Sequence, residues 1–84
     1  MIMFKKFFEK REQKKDQAIV ASNYRIIRTA YKEINPLSRK HITEAFANIV
    51  REYAKRWGWD NFIQWYVHRY IAFVDERLND YFYL

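Results

Sequence analysis

The sequence predicts an all-α protein, a compact antiparallel three-helix bundle with helices over about residues 3–34, 38–57 and 60–82. Apolar residues recur at spacings of three and four along three long segments, which is the period of a helix face and not of a strand. Between those segments stand the only proline, Pro36, and the only glycine, Gly58, residues that commonly mark where helices begin and end. Both breaks are short, and short connections force antiparallel neighbours.

The 84 residues are read as one domain, because so short a chain cannot build a second core. Within it, residues 1–17 are expected to form a basic arm, protruding or flexible, and residues 18–84 the bundle core. Half of the residues are hydrophobic and 20% are aromatic. That is more apolar bulk than three elements easily bury, so a lasting partner or self-association is expected.

The first helix opens on MIMFKKFF, where Met1, Phe4 and Phe8 form one stripe and predict a packed first turn. EKREQKKDQ, residues 9–17, has no apolar residue. The segment is therefore expected as an exposed continuation of the helix without a buried face, with a flexible joint or a fresh N-cap at Asp16 as alternatives. From Val20 a heptad seam runs through Tyr24, Ile27, Tyr31 and Ile34. Ile19, Ile26 and Ala30 are expected to widen it. The helix must stop near Asn35, since Pro36 disfavours helical geometry in the residue before it.

For the second helix, Ser38 suits the N-cap and Leu37 could reach Ile42 as a hydrophobic staple. Asn35 as cap with Pro36 at the first helical position competes with that reading. Ile42, Phe46, Ile49, Tyr53 and Trp57 line one face, with Ala45 and Val50 beside them. Lys55 and Arg56 complement the dipole at the helix end, and Gly58 can turn left-handed there, with Trp59 folding back on Ala54 or Tyr53. Asp60 caps the third helix, whose seam is Ile63, Val67, Tyr70 and Val74, continuing to Leu78 and Tyr81.

Composition narrows the function. With no cysteine, disulfides, thiolate metal sites and thiol catalysis are excluded. One glycine leaves no phosphate-cradling loop. No apolar run approaches the ~20 residues of a membrane span, and no signal-peptide core is expected, since Lys5 and Lys6 interrupt the apolar residues and a charged run follows. A cytoplasmic location is the expectation. His41 and His68 fall on different helices, and His41 with Glu44 makes two ligands where a metal needs three or four. Asp75 and Glu76 are adjacent, so a helix points them about 100° apart, unsuited to acid–base pairing. No catalytic residue, metal or cofactor is expected, and the chain is not read as an enzyme.

Two constellations remain. The net charge is +6, with +7 over residues 1–41 and −1 over the rest. Arg11, Lys14, Arg25, Arg28 and Lys32 share a flank of the first helix, and Arg39 and Lys40 open the second against its dipole, each costing up to ~1 kcal/mol. Arg25, Arg28, Lys32, Arg39 and Lys40 are therefore candidate anion- or nucleic-acid-binding residues. On the third helix, Phe62, Trp65, Tyr66, Arg69 and Phe73 surround the seam. Trp65 and Arg69, four apart, can stack as cation and ring, and such residue types dominate interface hot spots. The leading expectation is a small non-enzymatic protein-interaction module, an adaptor, inhibitor or regulator of the phage- or plasmid-borne kind. It would dock this patch on a protein partner or, as a homodimer, on itself. A nucleic-acid-binding module using the basic residues is the alternative. A membrane partner is not expected, because the Met1–Phe8 stripe is barely two turns long.

Overall fold

A computed structural model of the chain contains α1 (Ile2–Tyr31), α2 (Pro36–Trp57) and α3 (Asn61–Phe82). It describes the backbone of residues 2–32 and 35–82 and the side chains of residues 8–32, 35 and 37–75. Among the described residues there is no strand, and the all-α three-helix class expected from periodicity is what the chain adopts. Contacts between α1 and α2 run in opposite directions: Asp16 meets Arg56, Tyr24 meets Phe46, and Tyr31 meets Arg39. Between α2 and α3, Tyr53 meets Phe62 and Phe46 meets Tyr70. Consequently α3 lies beside α1 in the same sense, Tyr24 against Tyr66 and Tyr31 against Phe73.

The molecule measures 60 × 18 × 17 Å, far longer than the ~33 Å of a 22-residue helix. The helices are staggered. Gln13 is level with Tyr53 and Asp60, so roughly the first ten residues of α1, about 15 Å of helix, outrun the α2–α3 turn.

Val20, Tyr24, Ile27, Phe46, Val50, Tyr53, Ile63 and Tyr70 form the central core cluster. Phe46 is stacked on Tyr70 with ring centroids 4.6 Å apart and tilted against Tyr24 at 6.0 Å; such pairs contribute about 0.5–1.5 kcal/mol beyond buried area. The heptad seam of α1 is buried as its spacing predicts, with Ile34 and the α3 side chains of Leu78 and Tyr81 lying outside the described residues. Several residues expected to pack are exposed: Phe8 of the predicted first turn, whose stripe mates Met1 and Phe4 lie outside the described side chains, Ala45 of α2, and two residues flanking the α1 seam. Ile19 and Ile26 are exposed, because each precedes a seam residue and sits about 100° around the helix from it. With only two neighbours, α1 buries a narrow stripe.

The start of α2 corrects the Ser38 reading. Asn35 is the N-cap, with φ −74° and ψ 166°, and its side-chain oxygen accepts the Ser38 N–H at 3.0 Å. Pro36 occupies the first turn, where its fixed φ fits and its missing N–H costs nothing. Leu37 is 79% exposed, so no hydrophobic staple forms. At the other end the Gly58 N–H donates to the Ala54 carbonyl at 2.7 Å. Gly58 has φ 86° and ψ 172°: the positive φ that glycine tolerates is present, but the chain leaves extended and not in a left-handed hook. Trp59 therefore stays half-exposed, along the groove between α2 and α3.

Replacing Asn35 with alanine should lower unfolding stability by about 1 kcal/mol in urea titrations, and Ser38→Ala by only a few tenths. A larger loss for Ser38→Ala would return the cap to that residue.

Candidate functional site

The polar segment of α1, expected to be exposed all round, is docked along one side. Glu12, Gln13, Asp16 and Gln17 are half-buried, and their spacing puts them on one helical face. The Trp57 indole N–H donates to Asp16 Oδ2 at 2.7 Å, and Arg56 Nη1 to the same oxygen at 3.2 Å. Asp16 is thus a mid-helix acceptor and caps nothing. Arg56 also reaches Glu12 at 3.4 Å. Next to this, the Tyr53 hydroxyl donates to Asp60 Oδ2 at 2.7 Å while accepting from the side-chain amides of Gln13 at 3.1 Å and Gln17 at 3.3 Å. Gln13 also donates to Asp60 Oδ2 at 3.2 Å. The other Asp60 oxygen accepts the Ile63 N–H at 3.0 Å, the α3 cap that the sequence predicts.

These bonds set the ionisation of the junction. Burial works to raise the Asp60 carboxyl, but the Ile63 N–H, the Tyr53 hydroxyl, the Gln13 amide and the Phe62 N–H outweigh it and hold the group below the usual aspartate range. Burial, and then the bond donated to Asp60, push the Tyr53 phenol upward. The junction joins all three helices, and every group in it has a structural task. His41 and His68 are exposed on separate helices, and no group of three potential metal ligands occurs among the described residues.

The aromatic candidates divide. Trp65 is 50% exposed, with the Arg69 guanidinium 5.2 Å above its ring, as their spacing predicts. Its edge packs on Tyr66 at 4.6 Å. Tyr66 and Phe62 are half-buried, held by Tyr24 and Tyr53 respectively. Phe73 is not a surface residue. It is 6% exposed and meets Tyr31 edge-on at 5.3 Å, because α1 runs beside α3 far enough to cover it.

The basic candidates divide as well. Arg25, Arg28 and Lys32 are exposed on α1, and Arg28 lies 5.2 Å over the Phe73 ring. Arg39 is half-buried, its guanidinium 5.2 Å over Tyr31, a contact that helps offset its position at a helix start. Lys40 is exposed at the start of the second turn of α2, on a different helix from the α1 cations. Through Arg28 on Phe73 and Tyr24 on Tyr66, the cations of α1 and the Trp65–Arg69 pair of α3 border the same edge of the bundle. Sequence periodicity places each set on its own helix but not side by side. Over residues 10–32 and 61–75 the carboxylates are Glu12, Asp16 and Asp75. The first two face Arg56 of α2 and the third lines the α2–α3 groove. The α1–α3 edge is therefore cationic and aromatic, without a carboxylate over this span.

A second feature escaped the sequence. Between α2 and α3 lies an open groove of about 420 Å³, floored by Phe46, Val50, Val67 and Val74, with Trp59 and Ile71 exposed along it. No family model matches the chain, and no curated protein or solved structure matches it significantly.

Because the folded Asp60 carboxyl lies below its unfolded value, it contributes stability that is complete above the unfolded pKa and is lost as pH falls through the folded one. Asp60→Asn should lower the urea midpoint near neutral pH and flatten the fall in stability below about pH 4. An acid slope identical to that of the unsubstituted protein would contradict this role.

Proposed function

We propose that the chain is a small non-enzymatic protein-interaction module, an adaptor, inhibitor or regulator, that presents the α1–α3 edge to an acidic face of a protein partner. The observation that carries this reading is the exposed Trp65 stacked with Arg69 on the edge that also holds Arg25 and Arg28. A large ring supplies apolar area at low entropic cost, and guanidinium groups around it select carboxylates with bidentate geometry. Of the five aromatic-patch residues, Trp65 and Arg69 carry the contact, with the exposed flanks of Phe62 and Tyr66 as its border. Phe73 acts from beneath as support.

The same edge also suits a phosphate backbone with a base stacked on Trp65, and this is the rival. Capture from the host lysate separates the two. Trp65→Ala combined with Arg69→Ala should abolish nuclease-resistant capture of a single protein while leaving the helical signal intact, since both side chains are exposed. Arg25→Ala should weaken capture by a smaller factor and reduce its sensitivity to salt. Nuclease-sensitive capture of many proteins would favour the rival, and unchanged capture by the double variant would contradict both.

A further inference from the structure

The α2–α3 groove has an internal symmetry. Its lining pairs off around the Phe46–Tyr70 stack, Ala47 with Ile71, Val50 with Val74 and Arg51 with Asp75. Arg51 lies five residues on from Phe46, and Asp75 five residues on from Tyr70. Because the helices are antiparallel, those equal steps carry the two charges in opposite directions, each about 7.5 Å along the groove from the stack. The cation stands at the turn end, where Trp59 also lies, and the anion at the open end. Between them the lining is apolar apart from the Thr43 hydroxyl, which is satisfied by the Tyr70 hydroxyl at 2.9 Å.

A surface with an apolar middle and opposite charges at its ends is its own complement under a two-fold axis lying across it. The Arg51 end of each copy then meets the Asp75 end of the other, and the apolar floors close on one another. We propose that the groove is the interface of a homodimer, its occupant a second copy of this chain. Trp59, 54% exposed, and Ile71, 50% exposed, are the side chains that the contact would bury, and a tryptophan of this kind is a common interface anchor. Arg51 donates one hydrogen bond to Asn48 at 3.0 Å, which leaves other guanidinium N–H groups for the incoming carboxylate. This surface is separate from the α1–α3 edge and does not depend on what binds there.

Sedimentation equilibrium of the full chain, up to roughly 100 μM, should give the dimer mass. Arg51→Asp places two carboxylates at each end of the interface, and Asp75→Arg two guanidinium groups. Each should weaken the dimer by roughly tenfold or more. The combined swap R51D/D75R restores opposite charges at both ends and should return the dissociation constant to within about threefold of the original. Arg51 and Asp75 are exposed, so circular dichroism should show the same helix content in all variants. A monomer at every concentration, single variants that dimerise as before, or a swap no tighter than either single variant would overturn the proposal.

Discussion

The hydroxyl of Tyr53 is the point on which the arrangement of the three helices depends. It donates to Asp60 at the start of α3 and accepts from Gln13 and Gln17 of α1, so it uses the full bonding capacity of a phenol. Apolar seams alone hold helices together but tolerate sliding, because one heptad resembles the next. A polar junction at one end sets the register. With Gln13 at Tyr53, Tyr24 falls opposite Phe46 and Tyr31 reaches Phe73. The overhang of α1 beyond the turn follows from the same register. Each hydrogen bond contributes only about 1 kcal/mol net, but a partner left unsatisfied in a buried place costs about 1–3 kcal/mol.

The junction also explains why a chain so rich in aromatic residues has distinct surfaces. Rings fill the centre, from Phe46 and Tyr70 outward to Tyr31 and Phe73. Arg28 and Arg39 lie over the outer pair, so two cations that look like surplus charge in the sequence are partly packing groups. Glu12 and Asp16 of α1 turn toward Arg56 of α2, whereas Arg28 lies over Phe73 of α3. The charge imbalance of the chain thereby becomes an imbalance between faces.

What could be read from the sequence was what a period expresses. The α1 seam and the Trp65–Arg69 stack follow from spacing along one helix, and the Asp60 cap and the break at Gly58 follow from the residue types at helix ends. Features that arise between helices were not legible. Glu12, Gln13, Asp16 and Gln17 have helical spacing, but a polar stripe that docks looks the same in sequence as one that is solvated. Phe73 looked superficial because its cover, Tyr31, belongs to another helix. Ile19 and Ile26 looked buried because hydrophobicity does not reveal how many neighbours a helix has. The choice between Asn35 and Ser38 turned on Pro36, which fits either reading until the first turn is seen. The symmetry of the α2–α3 groove requires the pairing of Phe46 with Tyr70, which no single segment contains.

The register-setting role of the junction can be tested by removing one atom. Tyr53→Phe keeps the ring and its packing against Phe62 but leaves Asp60, Gln13 and Gln17 without the hydroxyl. Urea unfolding of this variant should show a loss of about 1–3 kcal/mol. Hydrogen exchange should show the greatest loss of protection in α1 around Gln13. A variant within about 0.5 kcal/mol of the original, the range of an ordinary surface substitution, with α1 equally protected, would contradict the account.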